Sequence, residues 1–298
     1  MDPRPWVVTC DPGIDDAVAL AVVAGRGDCD VRAVVAGAGN VDATTAWRNA
    51  RGLSRLFGLE APVAIGSAAT VDGRPIHREG HPHGADGLAG LAHRLPCPDG
   101  DPPGAPLRDG SLVRGDVVAT GPLTDVALAL GAGRPVERVV WMGGSYAPAA
   151  HGTGAAGEFN AGVDPQAVDA VLAAAIELAV VPIEVTRRVT FGPRELVRWS
   201  SGRPAARFCA DLAAGRTRRG SHGIALHDPV AVVAALEPGL FGWERRRVRC
   251  AHGGGAPPGV LLAAAGRATA AVAVDVDVAA VRDRIVDAVL AAGRSTDG

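Results

Sequence analysis

Trp6-Val7-Val8-Thr9-Cys10-Asp11-Pro12-Gly13-Ile14-Asp15-Asp16-Ala17 is the stretch that decides the fold class of this chain. Trp6 to Cys10 is a short apolar run, the mark of a strand buried on both faces. Pro12 and Gly13 turn the chain sharply, and an Ala/Val/Leu-rich helix is predicted from Asp15 to Ala24. The same alternation continues downstream. Val31 to Ala36 reads as a strand and Ala43 to Phe57 as a helix. Val117 to Ala119 and Val139 to Met142 read as strands followed by loops, Asp164 to Ala175 as a helix, and Leu178 to Val181 as another buried strand. Apolar strands separated by helices predict an α/β fold: a mainly parallel sheet, Rossmann-like at its core, with helices on both faces. Such sheets place ligands beyond the carboxyl ends of their strands.

Two segments interrupt the pattern. Ser67 to Pro106 is rich in Gly, Pro, His and Asp, as functional loops often are. Arg188 to Gly223 carries Pro193 and Pro204 and predicts helices packed on one side. His252 to Gly259 reads as a hairpin-like connection before the alternating run Val272 to Val278, and Arg294 to Gly298 as a frayed tail. With no internal repeat and no clean linker, residues 1–298 are expected to form a single domain.

Composition excludes several classes. The formal net charge is −2, so no global field favours nucleic acid or an anionic membrane. All 30 basic residues are Arg, which rules out lysine chemistry such as a Schiff base. Five scattered cysteines without a C-x-x-C predict neither a disulfide framework nor a zinc cluster. The first ten residues lack a signal-peptide pattern, and the longest apolar stretch, Ala170 to Val181, is short and broken by Glu177. A cytoplasmic protein is expected.

Carboxylates collect at predicted strand ends. Asp15 is expected to cap its helix and Asp16 to complement the helix dipole. Asp11 has no such explanation. Three carboxylates within six residues repel one another unless something positive lies among them, and a hard divalent cation with oxygen ligands is the economical answer. Asp228, in His227-Asp228-Pro229, reads on its own as a helix cap. Glu158 and Asn160 flank Phe159, so in an extended segment they would face one side. His81 and His83 stand without the further nitrogen or sulfur that zinc requires. Thr120, before Gly121-Pro122, can aim its carbonyl into a crevice. Trp141 is expected to pack in the core, and Cys10 to be a buried, inert thiol.

These pieces, in this order, resemble the inosine–uridine preferring nucleoside hydrolase family, from Val7 to about Pro238. The likeness rests on Asp11-Pro12-Gly13-Ile14-Asp15-Asp16, Thr120-Gly121-Pro122-Leu123-Thr124, Met142-Gly143-Gly144, Glu158-Phe159-Asn160 and His227-Asp228-Pro229. The resemblance implies that Asp11, Asp16, Asp228 and the Thr120 carbonyl bind calcium. It implies that Asp11 takes the proton from a water held by that ion, and that His227 protonates the leaving base. Asp15, Asn40, Glu158 and Asn160 would hold the ribose hydroxyls, with His83 near the base. The implied activity is hydrolysis of a ribonucleoside to ribose and free base by a homodimer or homotetramer.

The chain also departs from the family pattern. Thr9 stands where the family usually has Asp. Gly152 replaces an amide near the 5′-hydroxyl, Arg187-Arg188 replaces a His-containing pair, and Gly215 to His222 has no aromatic residue besides its closing imidazole. Arg216, Arg218 and Arg219 suit an anion, so a 5′-phosphorylated or otherwise modified nucleoside is a second reading. A third is a ribose- or nucleoside-binding homologue impaired in turnover by Thr9. A redox Rossmann enzyme is disfavoured, since no G-x-G-x-x-G follows the first strand.

Overall fold

The computed structural model describes residues 5–76, 82–96, 111–146, 157–216, 223–265 and 269–293. The chain opens with β1 (Pro5–Cys10), α1 (Ile14–Gly25), β2 (Asp30–Ala36), α2 (Ala43–Phe57) and β3 (Val63–Ile65). It continues through β4 (Gly115–Ala119), α3 (Thr124–Gly131), β5 (Val136–Met142), α4 (Phe159–Val163), α5 (Pro165–Ala173) and β6 (Glu177–Val181). A mostly helical stretch follows: α6 (Ile183–Thr186), β7 (Thr190–Phe191), α7 (Pro193–Ser200), α8 (Pro204–Arg216), β8 (Ile224–Ala225) and α9 (Asp228–Leu236). The last part holds β9 (Phe241–Arg246), β10 (Val248–Cys250), β11 (Leu261–Ala263), β12 (Ala270–Val276) and α10 (Val278–Ala291).

Eight strands form one sheet in the order β3-β2-β1-β4-β5-β6-β12-β9. Every neighbouring pair is parallel except β12–β9. The chain leaves β1 toward β2 and β3, then returns to the other side of β1 as β4. That reversal opens a crevice beyond Cys10 and Ala119, the place where α/β sheets bind ligands. The expected α/β class and helices on both faces are observed. The predicted hairpin-like connection is the loop between antiparallel β10 and β11.

Strand alternation sorts β1 between two cores. Trp6, Val8 and Cys10 join the helices α1, α2, α8, α9 and α10. Val7 joins the opposite core with Val35, Val117, Trp141 and residues of α3 and α5. α1 runs through the larger core, and its residues from Ile14 to Val23 are all buried. It packs on α2, α9 and α10. A helix buried all round cannot drift, so its N-terminus is a fixed point for whatever it carries.

The structure moves two predicted helix starts. α9 begins at Asp228 with His227 as its N-cap, so Asp228 is not the cap. α1 begins at Ile14 with Gly13 as N-cap, so Asp15 is not the cap. Asp16 supplies the capping interaction instead, its Oδ2 accepting the Gly13 N–H at 2.9 Å. Arg294 to Gly298 lie outside the described residues.

Gly25 ends α1 where a Cβ would stand 1.9 Å from the Ala288 carbonyl oxygen of α10. Nothing lies within 4 Å of a Cβ at Gly27. G25A is therefore expected to lower stability by about 1–3 kcal/mol through overpacking. G27A should stay within about 0.5 kcal/mol. Urea midpoints measure both, and equal midpoints for the two variants contradict the close α1–α10 approach.

Candidate active site

The turn from β1 to α1 delivers three carboxylates to the crevice. Asp11, Asp15 and Asp16 are all buried, as is Asp228 at the start of α9. Asp228 is pushed well above the usual carboxylate range, first by burial and then by the charges of Asp16, Asp15 and Asp11, with Asp16 at hydrogen-bonding range. Two helix N-termini thus bring four acids into one pocket, and the positive ends of α1 and α9 offset part of their repulsion. Burial also raises Asp16 to about 6, against the pull of its hydrogen bonds to Gly13, Thr120 and Asp11.

Named donors hold Asp11 and Asp16. The Asn40 N–H reaches Asp11 Oδ2 at 2.6 Å, and Asn40 Nδ2 reaches Asp16 Oδ2 at 3.3 Å. The Thr120 hydroxyl donates to Asp16 Oδ1 at 2.8 Å. Asn160 Nδ2 donates to the Thr120 carbonyl at 2.8 Å and to the Met142 carbonyl at 3.1 Å. Asp11 fits because its neighbours lack side chains. A Cβ at Gly39 would lie 1.9 Å from Asp11 Oδ2, and one at Gly121 would lie 2.8 Å from Oδ1. Gly121 is braced in turn by Trp141, whose indole N–H donates to its carbonyl at 3.1 Å from a fully buried position.

Glu158 and Asn160 do not lie in an extended segment. Glu158 is the N-cap of α4, and Asn160 is inside that helix. The Glu158 carboxylate accepts from the amides of Gly144 (2.8 Å), Asn160 (2.8 Å) and Ala161 (2.9 Å). The loop of Met142, Gly143 and Gly144 is thereby tied to the same network as Thr120.

His83 enters from the long loop. Its Nδ1 accepts the Ile14 N–H at 3.0 Å, so the ring proton of the neutral form sits on Nε2. The 3.6 Å approach of Nδ1 to Asp15 is then no ion pair. His227 is half-buried. Its N–H points to Asp15 Oδ2 at 3.4 Å, and its Nδ1 lies 2.8 Å from the Thr186 hydroxyl.

Every site residue read from the sequence thus joins one connected set around the crevice. Asn49 and Thr186 were missed. Asn49 Nδ2 on α2 bridges the Asp86 carbonyl (2.8 Å) and the Pro12 carbonyl (3.4 Å), latching the His83 loop onto the Pro12-Gly13 turn. The Asp86 carboxylate shapes that loop by accepting from Leu88, Gly90 and Ala92 amides. Asn49 belongs to no motif and Thr186 only precedes the Arg187-Arg188 pair, so their contacts are what expose them.

Three sequence readings concern other groups. Cys10 is buried, its Sγ reaches the Val35 carbonyl, and burial together with Asp16, Asp11 and Asp228 drives its thiol pKa up. It is no nucleophile. The Thr9 hydroxyl is buried without a hydrogen-bond partner. Arg188 pairs with Asp275 at 2.7 Å on the surface. Gly152, His81, His222, Arg218 and Arg219, and the side chain of Arg216, lie outside the described residues.

The donors here are carboxylates and a carbonyl, which suit a hard divalent ion, and such an ion would relieve the repulsion from Asp16, Asp15 and Asp11 that adds to burial in raising Asp228. Among the described residues, no three His, Cys, Asp or Glu side chains form a ready coordination shell. The oxygens of Asp16 are turned instead onto Gly13, Asn40 and Thr120.

Comparison with known proteins agrees with this geometry. A family profile described as inosine-uridine preferring nucleoside hydrolase matches residues 6–283. A probable uridine nucleosidase of Arabidopsis thaliana is 32% identical over 259 residues, covering 80% of each chain. The pyrimidine-specific ribonucleoside hydrolase RihA of Photobacterium profundum is 33% identical over 261 residues, 80% of this chain and 81% of its own. Among solved structures, a plant nucleoside hydrolase, PpNRh1, superposes with a TM-score of 0.86 at 26% identity, covering 97% of this chain and 99% of the other.

Asp125 lies beside the site, buried, its carboxylate accepting from the Ser67 N–H at 2.9 Å and raised to about 7 by burial. A carboxyl whose folded pKa exceeds its unfolded value stabilises fully below pH 4, and loses that contribution as pH rises through about 7. In the presence of a chelator, D125N is therefore expected to show a shallower fall in stability between pH 5 and pH 8 than wild type. The gap at pH 8 should be on the order of a few kcal/mol. Urea unfolding at three pH values measures it, and parallel pH profiles would refute the raised, buried carboxyl.

Proposed function

Since the chain belongs to the inosine-uridine preferring nucleoside hydrolase family, whose members are N-ribosyl hydrolases, we propose that it hydrolyses ribonucleosides, uridine first among them, to ribose and free base with calcium as cofactor. One observation carries the reading: Asp228 of α9 pressed against Asp16 of α1, with Asp11 and Thr120 in the same strand-end crevice. The named relatives above 30% identity act on uridine or pyrimidine ribonucleosides by their descriptions, which supports uridine over inosine.

Asp11, Asp16, Asp228 and the Thr120 carbonyl would hold the ion. When bound, calcium supplies two positive charges that hold a vicinal diol and lower the pKa of water. The remaining chemistry belongs to the protein. Asp11, fixed by the Asn40 N–H, takes the proton of the water that attacks the anomeric carbon. The glycosidic electron pair departs with the base, and His227 gives that base a proton. Positive charge building on the sugar is favoured by the surrounding carboxylates. Asp15, Asn40, Glu158 and Asn160 hold the ribose hydroxyls. For Glu158, that contact adds to three backbone amides already bound. His83 presents its protonated Nε2 edge as a donor near the base.

The same reading includes a single domain over residues 1–298, supported by one continuous sheet running from β3 to β9. It includes a cytoplasmic homodimer or homotetramer that binds neither nucleic acid nor membrane. No helix among the described residues is long and apolar enough to cross a membrane. Cys10, Cys29, Cys209 and Cys250 are free thiols. The orphaned Thr9 hydroxyl keeps one second reading in play, a homologue that binds ribose but turns over poorly.

A panel of uridine, inosine and their 5′-monophosphates, with free base as readout, tests these readings. Uridine is expected to be hydrolysed, chelator to abolish turnover, and calcium to restore it. D11N should lower kcat about 100- to 10,000-fold while keeping ribose binding. Tight ribose binding without base release from any substrate favours the binding homologue, and preference for a monophosphate favours a phosphorylated substrate.

A further inference from the structure

We propose that Thr186 is the positioning residue for His227, holding the imidazole so that only Nε2 is offered to the leaving base. The proposal rests on the reading of His227 as the general acid. Three observations lead to it. Thr186 is completely buried, although its hydroxyl is polar. That hydroxyl stands 2.8 Å from His227 Nδ1. It belongs to α6, which is itself anchored at both ends.

The anchoring is specific. α6 follows β6 directly, and the Ile183 N–H donates to the Gly144 carbonyl at 3.2 Å, binding α6 to the loop that Glu158 holds. The Thr186 N–H donates to the Pro182 carbonyl, and the Thr186 carbonyl accepts from Val189, both at 3.1 Å. The hydroxyl also lies 3.4 Å from the Ile183 carbonyl, so its one proton has an acceptor while its oxygen faces Nδ1. Thr186 is thus a rigid post.

His227 needs such a post. It is only half-buried, and packing alone leaves a histidine ring a broad, roughly two-fold torsional choice that would exchange its two edges. Its main chain is set by Asp15 on one side, and its ring by Thr186 on the other. With Nδ1 turned to the hydroxyl, Nε2 lies on the opposite edge of the ring. Proton delivery is sensitive to such placement, since a displacement of about 1 Å can cost on the order of 100-fold in rate.

T186V keeps the shape and deletes the hydroxyl. Its kcat on uridine is expected to fall about 10- to 100-fold with KM within about threefold, and T186S should restore most of the rate. A riboside with 4-nitrophenolate as leaving group needs no proton on departure, so T186V should cleave it at close to the wild-type rate. In an H227Q background, T186V should add no further loss on uridine, because the two side chains act as one unit. T186A provides the same comparison should T186V fail to fold. Unchanged uridine turnover in T186V, equal losses on both substrates, or additive losses with H227Q overturn the proposal alone. A wild-type chain that releases no base from any nucleoside overturns the hydrolase reading, and the proposal with it.

Discussion

Four buried carboxylates in one pocket is the constraint from which the rest of this structure follows. Asp11, Asp15, Asp16 and Asp228 repel one another, and burial denies them water as a screen. The fold answers with fixed positive ends and fixed donors. α1 and α9 aim their N-termini at the pocket, and Asn40, Gly13 and Thr120 supply the hydrogen bonds. None of this works if α1 can shift. Its complete burial from Ile14 to Val23, and the contact of Gly25 with the Ala288 backbone, are structural requirements of the acidic pocket as much as of the core.

Small residues extend the same logic to the second layer. Asp11 occupies a slot between Gly39 and Gly121, and a methyl group at either position would collide with its carboxylate. Trp141, fully buried, pins the Gly121 carbonyl. A large aromatic deep in the core therefore helps set the position of an acid in the crevice. The coupling between packing and site is direct, through one hydrogen bond and one van der Waals contact.

Much of this was legible in the sequence because periodicity and turn chemistry are local. The apolar run from Trp6 to Cys10, the Pro12-Gly13 turn and the helical stretch after Asp15 announce a strand, a turn and a helix within about twenty residues. The strand-end position of Asp11 follows at once. Features that depend on distant partners were not legible. Glu158-Phe159-Asn160 looks extended in isolation, but Glu158 finds the Gly144 amide and closes α4 as a cap. Gly13 displaces Asp15 as N-cap because Asp16 reaches back to its amide. Asn49 is one polar residue in a helical pattern, and it matters only because the Asp86 and Pro12 carbonyls arrive from elsewhere. Likewise, β9 joins the sheet antiparallel to β12, a pairing with no local sign in Phe241 to Arg246.

The sequence had posed a helix-start role and ligand binding as rival explanations for Asp15, Asp16 and Asp228, and in the structure a helix-start position and a place in the acidic crevice coincide. Asp16 caps α1 through Oδ2 and receives Thr120 through Oδ1. Glu158 caps α4 and gathers the Gly144 loop. Asp228 begins α9 and presses on Asp16. A helix N-terminus offers free N–H groups and a partial positive charge, and these hold a carboxylate at a defined point. A pocket that must hold several carboxylates steady therefore draws them to helix starts. In an α/β sheet, the helix starts lie at the carboxyl ends of the strands, beside the crevice. Capping places Asp16 and Glu158, while Asp15 and Asp228 sit in the first turns of α1 and α9, so a helix-start pattern at a strand-end turn is no evidence against a functional role.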